Sequence, residues 1–291
     1  MSWVEDVAAA AQQMPEDPWL FEPEGHDWRW LSFAEVWRRC ARLAHTLGSL
    51  PPGTRVGYPD LAYSWAIVAD VAIQAAGLVA VPVAPGAAVK GLGGWVRGPV
   101  EVPEPAGVPC FVMAPVSADE SPTGTSPGAG PLASELPRPG GGFELEAPPR
   151  KKPPPLPPLG DSGFARLGAP AGGRDVTVLS APLESILGRQ LLLWSAASRA
   201  ALLLPGRSAW LPAAVWARAT VLAGTSAELA QLRSVPEVDQ PVERWRRSRM
   251  VRLRGWVGFG EAPAAELEAY WKARGVRIEP LGSAASVALP R

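Results

Sequence analysis

The chain has 291 residues, with 28 basic and 28 acidic side chains and a formal net charge of +0. Apolar residues make up 47% and charged residues 19%, an ordinary globular composition with material for about two domains or lobes. Zero net charge argues against a protein that coats nucleic acid or an anionic membrane, because both need a summed positive field. Two cysteines and two histidines argue against a disulfide framework and against a Cys- or His-based metal cluster.

The first residues, MSWVEDV, are acidic and lead into no long apolar core, so no secretory signal is expected. Residues 176–204 are the most apolar region, but Glu184, Arg189 and Arg199 interrupt them. No run approaches the roughly 20 residues needed to span a bilayer. The expected compartment is the cytoplasm.

In chain order, residues 32–50 read as the clearest helix. Ser32 and Glu35 form a capping-box pair. Phe33, Val36, Trp37, Cys40, Leu43, Ala44 and Leu47 recur at helical spacing, and Cys40 reads as a small core residue. Pro51, Pro52 and Gly53 stop the helix. Residues 55–58 read as a strand. Ser64 is the expected cap of a second helix, 65–76, apolar nearly all round and therefore buried on most of its surface. Gly77 ends it, and residues 78–83 form the next strand. Strand, buried helix and strand at this spacing make a βαβ unit of parallel sheet.

Residues 99–160 break the pattern. They hold 17 of the chain's 34 prolines and read as an extended, largely irregular connection. Residues 153–158 could dock a partner as a polyproline helix, although a stiff surface connector is the simpler reading. Order returns with a strand at 176–179, a helix at 183–197, a strand at 200–204, a short helix at 213–218 and a strand at 220–223. Thr225 and Glu228 form a second capping box, opening a helix to about residue 232. A strand at 253–257, a helix with Pro263 in its first turn running to Arg274, and a strand at 276–278 complete the alternation. The expected organisation is a first α/β lobe over 1–98, a Pro/Gly-rich connector over 99–160 and a second α/β lobe over 161–291.

These blocks resemble, in their order, the N-terminal domain of the adenylate-forming superfamily, the AMP-binding enzymes that include acyl-CoA synthetases. The stretch WRWLSFAEVWRRCARLAHTLGSLPPGTRVGY is similar to that family's opening, and Gly77 to Pro85 to its "G-A-V-x-V-P-x-x-P" signature. Residues 178–194 resemble the "P-L-x-H-x-x-G" segment, 219–232 the strand and helix that follow, and 253–286 the "G-G-E/A-A/P" turn and the "Y-G-x-T-E" strand end. The resemblance implies two parallel-sheet α/β lobes of one AMP-binding-like domain, without the C-terminal lid domain. It implies ATP or AMP with magnesium as cofactors, a nucleotide-binding set of Gly260, Glu261, Ala262, Pro263, Gly282 and Ser283, and a substrate pocket at Ser185 and Gly188.

Several chemical groups that the resemblance calls for are replaced. The phosphate loop corresponds to residues 167–175, which carry no hydroxyl, and Asp175 stands near the place of the family's lysine. The Thr/Gly/Ser cluster at 123–128 is a superficially better match that reads as plain loop. In the "Y-G-x-T-E" element the threonine place holds Ala284 and the magnesium-binding glutamate place Ala285. The histidine place of "P-L-x-H" holds Ser185. The family's later parts, with the catalytic lysine, have no counterpart before Arg291. The expectation is a degenerate domain with no catalytic or metal-ligating residue, a residual acyl- or nucleotide-binding role and a protein partner. The alternatives are an acid–CoA ligase completed by a partner chain and an interaction scaffold. The arginines around Trp245 and Trp256 read as a solvated face. The 13 tryptophans could line an apolar pocket, with Trp194, Trp210 and Trp216 best placed, but read more simply as core.

Overall fold

Along the chain the first elements are α1 (Trp3–Gln13), β1 (Pro18–Glu24), β2 (Asp27–Ser32) and α2 (Phe33–Leu47). The computed structural model describes residues 3–24, 27–100, 102–113, 142–143, 162–168, 174–206, 210, 213–214, 217–234 and 253–281. The chain divides into two units. One comprises Met1–Asp17 and Leu31–Leu145, the other Pro18–Trp30 and Glu146–Arg291.

In the first unit, the α2 cap is the expected one: Ser32 Oγ accepts from the Glu35 amide at 3.2 Å. Phe33, Val36, Cys40, Leu43, Ala44 and Leu47 are its buried face, the spacing of one amphipathic helix side. The next helix, α3, spans Ser64–Ala75, and every residue in it is buried. Its N-cap is Tyr63, with no side-chain cap bond, so Ser64 is not the cap. A helix this apolar still carries three buried polar side chains, Ser64, Asp70 and Gln74, and the last two are satisfied together. Tyr58 donates its hydroxyl to Asp70. Gln74 Nε2 donates to Asp70 Oδ1 at 2.5 Å, and Trp3 Nε1 donates to Gln74 Oε1 at 2.9 Å. The chain of bonds ties α1, α3 and a strand together through groups that would be costly if left unpaired.

That strand is β3 (Arg55–Pro59), which pairs in parallel with β4 (Val79–Val83) and β5 (Gly94–Arg97). The sheet has five strands in the order β6-β5-β3-β4-β7, where β6 is Cys110–Val112 and β7 is Gly142–Phe143. Residues 99–160 were expected to be largely irregular, yet they supply both edge strands. Each is only two or three residues long and pairs on one side, which suits a proline-rich segment with few donors to spare. The docking segment 153–158 and the 123–128 cluster lie outside the described residues.

The second unit contains α4 (Gly163–Leu167), β8 (Val176–Val178), α5 (Ile186–Ser198), β9 (Ala201–Leu203), β10 (Val221–Gly224), α6 (Ser226–Ser234), β11 (Gly255–Gly258), α7 (Ala265–Lys272) and β12 (Arg277–Pro280). Two sheets form, with orders β2-β1-β9-β8 and β10-β11-β12. The pairs β1–β9, β8–β9, β10–β11 and β11–β12 are all parallel, so the expected α/β class with parallel sheets holds. The N-terminal segment enters this unit through β1, where Leu20 pairs with Leu202 and Trp19 Nε1 donates to Ser195 Oγ at 3.3 Å.

Alternation along β11 sets the two faces of its sheet. Trp256 packs with Leu222, Leu229, Leu232 and Trp271 in one core. On the other face α4 lies so close that a Cβ on Gly163 would stand 2.4 Å from the Pro280 carbonyl oxygen, and one on Gly255 2.7 Å from Leu167. The α6 cap is again the expected reciprocal pair: the Thr225 amide donates to Glu228 Oε2 at 2.7 Å, and the Glu228 amide to Thr225 Oγ1 at 3.3 Å. Helix α7 begins at Ala265 with Ala264 as its cap residue, which leaves Pro263 just before the helix rather than in its first turn.

Candidate functional site

Four strands of the second unit share a direction and an edge. The start of β8 is joined to the start of β10 by the Thr220 amide on the Val176 carbonyl (2.8 Å). Their ends are joined by Ser180 Oγ on the Ala223 carbonyl (2.7 Å). Beyond them, the Phe259 amide donates to Gly224 O and the Leu281 amide to Gly258 O, both at 2.8 Å. The segments that follow β8, β10, β11 and β12 therefore leave from one C-terminal edge, the edge at which parallel α/β sheets bind ligands. Ser185, Gly188 and the turn 260–263 all follow strands at this edge. Gly282 and Ser283 come directly after Leu281 and lie outside the described residues.

Each described residue of the expected site has a local job. Ser185 is the N-cap of α5: its Oγ accepts from the Gly188 amide at 3.0 Å and donates to the Pro182 carbonyl at 2.6 Å. Gly188 is buried, and a Cβ there would stand 2.0 Å from that same carbonyl oxygen, so the turn needs glycine for space. The Ser185 hydroxyl thus has both its hydrogen and one lone pair committed to the helix start. Gly260 adopts a φ of 81° and begins an exposed turn in which Glu261 and Ala262 are also exposed and Pro263 is half-buried. Glu261 is a carboxylate open to solvent at this edge.

The opposite, N-terminal edge is built differently. Asp175, just before β8, is 3% exposed. Its Oδ1 accepts from Arg254 Nε at 2.8 Å and Thr220 Oγ1 at 2.8 Å, and its Oδ2 from Arg254 Nη2 at 2.5 Å. Arg254 also donates to the carbonyls of Leu167 (2.9 Å) and Gly168 (2.8 Å), and Arg277 to those of Leu167 (3.2 Å) and Arg166 (2.7 Å). Both ends of the expected phosphate loop, Leu167 and Asp175, are therefore held at this edge; residues 169–173 lie outside the described residues. Asp175, noted in the sequence as standing near the place of the family's lysine, faces an arginine. No local signal in the sequence could have found that partner, 79 residues away. Of the expected arginine face, Arg254 is a network member and Trp256 is buried; Arg244 to Arg252 lie outside the described residues.

The tryptophans divide in the same way. Trp194 is buried and stacks on Phe164, ring centroids 5.2 Å apart. Trp210 is half-buried and donates to Glu228 Oε1 at 3.2 Å. Both serve as packing elements, and Trp216 lies outside the described residues. In the first unit, burial, then the nearby Asp70 charge, pushes the Cys40 thiol well up from its ordinary value, as suits a core residue. A cleft of about 500 Å³ also opens there between residues 83–95 and 102–108; none of the expected site residues lines it. Among the described residues no cluster of three or more His, Cys, Asp or Glu could hold a metal ion, and no helix is long and apolar enough to cross a membrane.

Residues 7–94 match the family model described as AMP-binding enzyme. Solved structures extend the likeness to nearly the whole chain. The nonribosomal peptide synthetase FmoA3 aligns with 97% of this chain and 31% of its own at 17% identity, with a TM-score of 0.73. The chain is similar to AMP-binding enzymes in sequence over residues 7–94 and to these structures in fold. The inhibitor-bound N-terminal domain of FACL13 from Mycobacterium tuberculosis aligns at 16% identity and a TM-score of 0.65, over 95% of this chain and 74% of that one. O-succinylbenzoate coenzyme A synthetase from Bacillus subtilis, solved in complex with AMP, aligns at 16% identity and 0.61, over 95% and 72%. At such identities the likeness beyond residue 94 is one of fold. The chain spans about a third of the FmoA3 chain it matches. No curated relative matches.

Proposed function

We propose that this chain is an acyl-CoA-synthetase-like domain that binds an acyl or adenylate-type ligand at the C-terminal edge of its second unit and does not itself adenylate acids. The observation that supports the reading is the state of Asp175: near the place of the family's phosphate-loop lysine stands a buried carboxylate whose charge is matched by Arg254 and which also accepts from Thr220.

The residues present do not fit a magnesium–triphosphate group. Asp175 and Arg254 neutralise each other at the N-terminal edge, so this pair offers a phosphate no unmatched charge. The Ser185 hydroxyl is spent on the α5 cap. Alanines at 284 and 285 offer a metal no side-chain oxygen. What remains at the C-terminal edge is backbone-rich: the Gly260 turn, the exposed Glu261 carboxylate and the strand ends of β10 and β11. Such an edge can hold a ligand by shape and main-chain hydrogen bonds.

Calorimetric titration with a non-hydrolysable acyl-adenylate analogue, with AMP and with magnesium–ATP tests the reading. Saturable binding of the analogue, with no tighter binding of magnesium–ATP than of AMP, is the expected result. Magnesium-dependent tightening for ATP would refute it. The absence of binding by all three ligands would turn the reading into that of an interaction scaffold.

A further inference from the structure

The guanidinium of Arg254 is arranged as an anion receptor. Nε and Nη2 form a two-pronged fork on one carboxylate, at 2.8 and 2.5 Å, the planar geometry by which arginine binds carboxylates and phosphates. Nη1 and Nη2 also reach the Leu167 and Gly168 carbonyls, so the exit of α4 holds the fork in place independently of the anion. Thr220 Oγ1 adds a further donor toward the anion, at 2.8 Å. Three donors from two strand starts thus converge on one buried oxyanion, and the chain supplies that oxyanion itself.

We propose that Arg254 is an oxyanion-binding group that the fold keeps permanently occupied with Asp175. The fork sits at the start of β11, its second anchor at the start of β10, and its anion at the start of β8; the Asp175 backbone carbonyl further accepts the Ala201 amide at the start of β9 (2.8 Å). One internal anion therefore registers the starts of three strands and, through Arg254, the exit of α4, while the backbone of the same residue holds the start of β9. Arg254 acts here as a positioning residue. The inference goes beyond the proposed ligand reading: it shares the Asp175 pair with it but stands without any ligand, since its test reads unfolding and not ligand binding.

Replacing the carboxylate by nothing and then supplying one from solution tests it. Asp175→Gly leaves a gap of about the size of acetate at the fork, with room for formate. In the full chain, its urea-unfolding equilibrium should shift toward the unfolded state on the order of a hundred- to several thousandfold, the usual scale for stranding one member of a buried ion pair. Sodium formate should reverse roughly tenfold of that shift, saturably, against sodium chloride at equal ionic strength. Formate should do no more than chloride for the Asp175→Gly/Arg254→Met double variant. A variant as stable as the parent, equal effects of formate and chloride, or equal formate rescue of the double variant would each overturn the proposal. Should Asp175→Gly not fold, Asp175→Asn keeps the volume and removes the charge. Its destabilisation should then be strongly non-additive with that of Arg254→Met, and simple additivity would overturn the proposal equally.

Discussion

The two edges of the second unit's strands are made from different materials. The N-terminal edge is cross-linked by side chains: Arg254 and Thr220 bind Asp175, and Arg254 and Arg277 bind the exit of α4. The C-terminal edge is made of turns, with Gly188 admitted for space, Gly260 at positive φ and Glu261 exposed. The contrast teaches where each kind of strength belongs. A buried ionic network fixes the strand starts, whereas the open edge keeps the conformational and polar freedom that the proposed ligand would use.

Substitutions at the two edges sharpen this contrast. Arg254→Met should cost the most, about 3–5 kcal/mol in chemical denaturation, because it leaves a buried carboxylate without its cation. A loss under about 1 kcal/mol would mean that the N-terminal edge is no more than a surface pair. Gly188→Ala should cost about 2–3 kcal/mol, since its Cβ would stand 2.0 Å from a backbone oxygen and the start of α5 must shift. The melting temperature reads this directly, and an unchanged value would show that the turn is looser than described. Thr225→Ala removes one half of the α6 capping box and should cost about 1 kcal/mol, with Thr225→Ser recovering most of it. Glu261→Ala, on the open edge, should change stability by no more than about 0.5 kcal/mol while altering affinity for an adenylate-type ligand. A large stability loss there would erase the difference between the edges.

How much of this was legible in the sequence depends on how local the cause was. The caps at Ser32 and Thr225 were readable because their partners lie three residues away. The all-buried α3 was readable because its apolar residues leave no polar face. The α/β alternation of the second unit followed from the same local periodicities. Helix α1 and the strands β1 and β2 were missed; β1 draws its meaning from pairing with β9, far along the chain. The edge strands β6 and β7 were hidden among prolines. Ser64 looked like a cap and Pro263 like a first-turn residue because each sits within two residues of a helix start, a margin that composition does not resolve. At the candidate site, the segments Ser185–Gly188 and 260–263 were found by resemblance, and their shared edge was not, since an edge is a property of strand direction and pairing. Asp175 was noticed as a charge in the wrong place, but its partner at position 254 only emerges when β8, β10 and β11 are set side by side.

Pyrophosphate release by this chain, supplied with ATP, magnesium and a panel of aliphatic and aromatic carboxylic acids, tests the central claim most directly. No acid-dependent release above the no-enzyme rate is expected with any member of the panel. Sustained, acid-dependent turnover would mean that the residues at 175, 185, 284 and 285 handle a triphosphate after all, and would contradict the claim.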